Sequence, residues 1–248
     1  QTANTSITNL ASTATTINQR GDGATARDNT FSYATGAAAT VTFNTDSATD
    51  DGADGAEALA NASTTFSNVS NLTIDSDDDS AADITWDIGT FAGGTALNTL
   101  TITTSDDIGD DLTVGAMTAA NLENLNVTFD DADATVGTLL SAGELKTVTI
   151  SNANTASLGH FSIGNIGTAV GGAADELTSF SVTTLGTADA GGHSQVDFAN
   201  LDAAGATFTF TMNLDGNYGD SDIDTVTATS VSSIDIDTGT LGTTLLVD

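Results

Sequence analysis

The sequence predicts an all-β fold, a β-solenoid of stacked repeats about 27 residues long with two or more short strands per coil. Three observations predict it. An apolar pattern recurs along most of the chain, a second motif keeps step with it, and the composition favours short strands joined by tight turns. A leucine-rich-repeat-like solenoid is the runner-up fold, with a β-sandwich array beside it.

The first pattern is an apolar residue, two others, an apolar residue, one other, and an apolar residue. It reads Val69-x-x-Leu72-Thr73-Ile74, then Leu97-x-x-Leu100-Thr101-Ile102, Leu122-x-x-Leu125-Asn126-Val127, Leu145-x-x-Val148-Thr149-Ile150 and Leu177-x-x-Phe180-Ser181-Val182. Phe208-Thr209-Phe210 is a weaker copy and Val231-x-x-Ile234-Asp235-Ile236 a clear late one. With Phe208 as its middle residue in the weak copy, the six steps from position 72 to position 234 average 27 residues. Alternate residues of a strand point to opposite faces, so Leu100, Leu125, Val148 and Ile234 are expected inside, stacked on one another. Thr101, Asn126, Thr149 and Asp235 are expected outside. One repeat cannot bury its few apolar side chains alone, whereas stacked repeats form a continuous column.

The second motif is two apolar residues flanking one other, then Gly, one residue and another apolar. Its copies are Trp86-Asp87-Ile88-Gly89-Thr90-Phe91, Leu112-Thr113-Val114-Gly115-Ala116-Met117, Ala134-Thr135-Val136-Gly137-Thr138-Leu139 and Phe161-Ser162-Ile163-Gly164-Asn165-Ile166. Val196-Asp197-Phe198-Ala199-Asn200-Leu201 is a fifth, with Ala in place of Gly. The Gly marks a bend where a side chain would clash or where φ must be positive. Trp86 aligns with Leu112, an inward position, and Phe208, Phe210 and Met212 alternate as a buried strand does. These aromatics are therefore read as core rather than as a platform for sugar.

Acids lie between the two motifs. Asp75, Asp77, Asp78 and Asp79 follow one strand; Asp106, Asp107, Asp110 and Asp111 occupy the same place a repeat later, and Asp130, Asp131 and Asp133 the next. The acids return at Asp220, Asp222 and Asp224. Coils stack ~4.8 Å apart, so equivalent carboxylates repel unless a cation lies between them. Calcium takes six to eight oxygens and suits short, stiff carboxylates in turns. These residues are the candidate metal ligands and calcium the candidate cofactor. Residues 1–65 are less regular and are read as an N-terminal arm or edge strands, with one helical turn expected near Glu57–Ala60. Residues 66–248 form the predicted solenoid domain. Val41-Thr42-Phe43 falls about one repeat before Leu72, a place where the solenoid would begin.

Thr, Val, Asp, Gly and Asn abundance supplies strands and turns. The chain has 248 residues, 34 acids against three bases (Arg20, Arg27 and Lys146) and a formal net charge of −31. Four of the acids are Glu, which leaves 30 Asp. That balance argues against nucleic acid and anionic lipid, both of which require Lys and Arg to neutralise phosphate. The chain has no Cys and no Pro, so thiolate metal sites, Cys nucleophiles and disulfides are excluded. No apolar run approaches the ~20 residues of a membrane-spanning helix, and no insertion into a membrane is expected. The sequence opens on Gln1 without a signal-peptide pattern and closes on Leu245-Leu246-Val247-Asp248, which reads as mid-strand. A mature or excised piece of something longer is the expectation.

On Leu97-x-x-Leu100-Thr101-Ile102 through Val114-Gly115 and their counterparts, residues 66–240 resemble bacterial surface-layer and large secreted β-strand-repeat proteins. The resemblance implies a solenoid or sandwich array, a location outside the cell at its surface, and a role in a two-dimensional lattice ordered by calcium. The nonapeptide calcium repeat of secreted β-rolls has only a degenerate relative here, Gly219-Asp220-Ser221-Asp222-Ile223-Asp224.

No catalytic constellation stands out. His160 and His193 are the only histidines, and Ser and Asp are so abundant that their proximity to either carries no information. Paired carboxylates for glycoside cleavage need one acid in a partly apolar cleft, whereas these acids cluster on solvated turns. The expectation is therefore a structural protein and not an enzyme. It self-associates into a lattice or filament, with cell-surface polysaccharide as a secondary partner. A calcium-stiffened spacer of a large adhesin is the alternative, followed by a polysaccharide-binding or polysaccharide-cleaving β-helix.

Overall fold

The computed structural model describes residues 4–19, 26–34, 39–44, 59–76, 85–104, 111–131, 133–140, 142–153, 159–167, 174–184, 195–214 and 223–237. Among the described residues are eighteen strands, all paired in parallel and stacked as a β-solenoid, and no helix.

Two walls face each other across the core. The first wall contains β1 (Thr5–Leu10), β3 (Arg27–Tyr33), β5 (Leu59–Ser67), the pair β7 (Thr85–Asp87) and β8 (Thr90–Ala92), the pair β10 (Asp111–Val114) and β11 (Met117–Thr118), β13 (Asp133–Val136) and β15 (His160–Ile163). The second contains β2 (Thr16–Asn18), β4 (Ala39–Asn44), β6 (Val69–Asp75), β9 (Thr99–Thr103), β12 (Asn124–Phe129), β14 (Thr147–Asn152) and β16 (Ser179–Thr183). The long strands β17 (Gln195–Asn213) and β18 (Ile223–Asp237) run through both walls: β17 pairs with β15 along its first part and with β16 along its second.

Alternation explains the core. In β9, β12, β14 and β16 every second residue is buried. The register stacks Leu72 on Leu100, Leu100 on Leu125, Leu125 on Val148, Val148 on Phe180 and Phe180 on Phe210. Rings from opposite walls meet in the middle: Phe43 lies 5.5 Å from Phe66, Phe129 6.0 Å from Phe161 and Phe180 5.2 Å from Phe198. One continuous apolar cluster results, as stacked repeats require.

Three expectations change. Phe210, not Phe208, is the residue in register with Phe180 and Ile234. Ile234 is 65% exposed rather than inside, because β18 pairs only with β17 and no described strand stacks on its other edge. The helical turn near Glu57 is absent where it is described, since Leu59 and Ala60 are strand. Further, the strands before residue 66 continue the ladders: β1 pairs with β3, β3 with β5, β2 with β4 and β4 with β6.

Candidate cation-binding corner and outer faces

Each coil turns twice. Where the first wall passes into the second, a short turn repeats in three consecutive coils. The Leu122, Leu145 and Leu177 N–H groups donate to the carbonyls of Ala119, Ala142 and Ala174 at 3.1, 3.0 and 3.2 Å. Both ends of each turn are buried. The repeated Ala three residues before the Leu is the signal that the six-residue pattern left out. Beside this turn Lys146 Nζ lies 2.8 Å from Glu123 Oε1, both side chains half-exposed. The hydrogen bond from Lys146 holds the Glu123 carboxyl below its ordinary range, with a smaller contribution from Asn98.

The described acids of the acidic segments, Asp75, Asp111, Asp130, Asp131 and Asp133, lie at the opposite corner, where the second wall passes back into the first. Asp75 ends β6, Asp111 begins β10 and Asp133 begins β13. Asp111 and Asp133 are register partners on adjacent coils, both exposed, and Asp111 is flanked on its other side by Thr85. Asp130 and Asp131 follow β12, and Thr104 Oγ1 accepts the Asp130 N–H at 2.9 Å. Asp77, Asp78, Asp79, Asp106, Asp107, Asp110, Asp220 and Asp222 lie outside the described residues. Asp224 is described only as backbone of β18. Two carboxylates side by side fit one edge of a calcium site, but among the described residues no three acids or histidines converge on a common point.

The corner continues onto the first wall. Asp133 Oδ1 accepts the backbone N–H of His160 at 2.8 Å, and His160 Nε2 lies 2.8 Å from Asp197 Oδ2 one coil further on. The Asp197 hydrogen bond raises the His160 pKa above its ordinary value. Partial burial opposes this, and the charges of Asp197 and Asp133 add to it. Ser162, the next outward residue, donates its hydroxyl to Thr135 Oγ1 at 3.2 Å.

The glycines of the second motif form a column across the first wall. Gly89 has φ +65°, so positive φ is the reason there. For the next two the reason is close approach. A Cβ on Gly115 would lie 2.8 Å from the Gly89 carbonyl oxygen, and one on Gly137 would lie 2.7 Å from the Ala116 nitrogen. Polar groups enter the interior chiefly in the early coils, at Arg27, Asn29, Asn61 and Thr64. There Gln19 Nε2 donates to Asn61 Oδ1 at 3.0 Å, Asn61 Nδ2 donates to Thr64 Oγ1 at 3.2 Å, and Thr64 Oγ1 donates to the Ile88 carbonyl at 2.8 Å.

No family model, no curated protein and no solved structure matches this chain.

Proposed function

We propose that the chain is a non-catalytic structural segment of an extracellular assembly at the cell surface, a lattice or filament protein whose acidic corner binds calcium. One observation carries the reading: Asp111 and Asp133, each opening a strand at the same corner, are in register on neighbouring coils. Adjacent strands are about 4.8 Å apart, a separation at which two carboxylates are more stable with a shared divalent cation than alone. The resemblance to surface-layer and β-strand-repeat proteins supports the same reading. A net charge of −31 keeps copies apart until calcium bridges them.

The test is thermal unfolding and light scattering in chelator, in millimolar calcium, the range of extracellular calcium modules, and in sodium chloride at equal ionic strength. Calcium raises Tm and induces sheets or filaments visible by negative stain, while sodium chloride does neither. If EGTA leaves Tm unchanged, the acids are solubilising only. If calcium raises Tm but the chain stays monomeric at high concentration, the adhesin-spacer reading replaces the lattice. The succession of parallel pairings from β2 to β18, a rod-like stack, suits that second reading as well.

A further inference from the structure

The outer side of the second wall has a different character from the acidic corner. Over five successive coils its outward positions form three ranks. Thr99, Asn124, Thr147, Ser179 and Thr209 make the first, and Thr101, Asn126, Thr149, Ser181 and Thr211 the second. Thr103, Thr128, Ser151, Thr183 and Asn213 make the third. These fifteen residues are nine Thr, three Ser and three Asn, with no charge and no aromatic ring. All are at least partly exposed. No register shift interrupts the four pairings that join these coils.

The grid has two fixed repeats. Neighbouring coils are about 4.8 Å apart, and neighbouring ranks are two residues apart on a strand, about 6.7 Å. Within the first rank, side chains bind one another: Thr147 Oγ1 donates to Asn124 Oδ1 at 2.8 Å, and Asn124 Nδ2 donates to Thr99 Oγ1 at 3.4 Å. The second rank has no side-chain hydrogen bond to another described residue, so its hydroxyls and amide face outward unspent.

A single hydroxyl at such a site holds a small solute no better than water does, and these positions form a regular array rather than a set converging on one point. A rigid grid gains only against a ligand that repeats on the same scale, because many weak contacts then form together with no further ordering cost. The ligand chemistry follows by elimination on this surface. A crystalline polysaccharide needs rings to stack on, and the described aromatics point into the core. A charged mineral needs charge, which the fifteen positions lack. Ice needs neither. Thr offers it a methyl group that orders water and a hydroxyl that joins the ordered layer, and the repeat of hexagonal ice along its a axis lies close to the coil spacing. We infer that the outer side of the second wall, centred on Thr101, Thr149 and Thr211, binds ice.

Partition of the purified chain into slowly grown ice tests this, with inhibition of ice recrystallisation as a second readout. The chain enters the ice above the level of an inert acidic protein. Thr149→Tyr and Ser181→Tyr, each checked for an unchanged circular dichroism spectrum, need about tenfold more protein for the same effect, equivalent to about 1.4 kcal/mol. Thr135→Tyr, on the outer side of the first wall, behaves as the unsubstituted chain. Exclusion from ice, an equal loss in Thr135→Tyr, or preferential retention on microcrystalline chitin or cellulose overturns the inference. None of these outcomes depends on calcium-driven assembly.

Discussion

The two walls share one core and differ in what they show to solvent. On the second wall each coil contributes one unbroken strand, and the outward ranks from Thr99 to Asn213 carry no charge. On the first wall most central coils break at the glycine column, and the outward residues include Asp87, Asp111, Asp133, His160 and Asp197. Stacking demands only that inward side chains be apolar and that coils keep their spacing. It leaves the outward alphabet free: acids stand on the first wall and its corner, and the second wall carries only hydroxyls and amides from β9 to β17, with Asp75 and Asp235 in the coils on either side.

Substitutions sharpen the contrast. The largest effect is expected where both walls depend on the same column. Leu125→Asp places an unpaired carboxylate among Leu100, Val148 and their neighbours, costing several kcal/mol, and Leu125→Ala costs about 2–5 kcal/mol. Chemical denaturation measures both. An intermediate effect separates the walls. Gly137→Ala on the first wall forces a Cβ against the backbone of the coil below, an overpacking cost of about 1–3 kcal/mol. Thr149→Val on the second wall leaves the backbone untouched and changes stability by no more than about 0.5 kcal/mol. Equal costs at the two positions would show that the glycine column is not a steric requirement.

Smaller still is the effect of pH through His160. Its native pKa is raised by Asp197, so the imidazolium stabilises the fold fully below the ordinary histidine value of about 6.5. That contribution is lost as pH rises through the native pKa. The difference in Tm between the unsubstituted chain and His160→Gln therefore shrinks with rising pH across that window, and a pH-independent difference would contradict the assignment. The least effect belongs to Lys146→Met, since an exposed ion pair with Glu123 adds little to stability; a scan in high salt should barely separate the two proteins.

How much of this was legible before folding depends on the coil. From Val69 to Val182 the apolar alternation is clean, and the inward residues, the Trp86–Leu112 alignment and the glycine column all follow from it. The early coils escaped the pattern because their inward positions include Arg27, Asn29, Asn61 and Thr64, residues that alternation alone assigns to solvent. Of the candidate metal ligands, the stacking of Asp111 on Asp133 was legible, because equivalent positions in successive repeats must stack; most of the others lie outside the described residues. The His160–Asp197 pair was not, since its members lie 37 residues apart and meet across coils.

The sequence by itself determined the period and the stacking column, because each is a periodic property that a parallel stack copies from coil to coil. Tertiary structure alone decided the register at β17, where Phe210 rather than Phe208 meets Phe180, since both residues satisfy the alternation and only the stacked neighbour distinguishes them. It also decided that Ile234, patterned as core, is exposed. Burial of an inward residue in a solenoid requires a coil on each side, and that is a property of position in the stack, which no local pattern encodes.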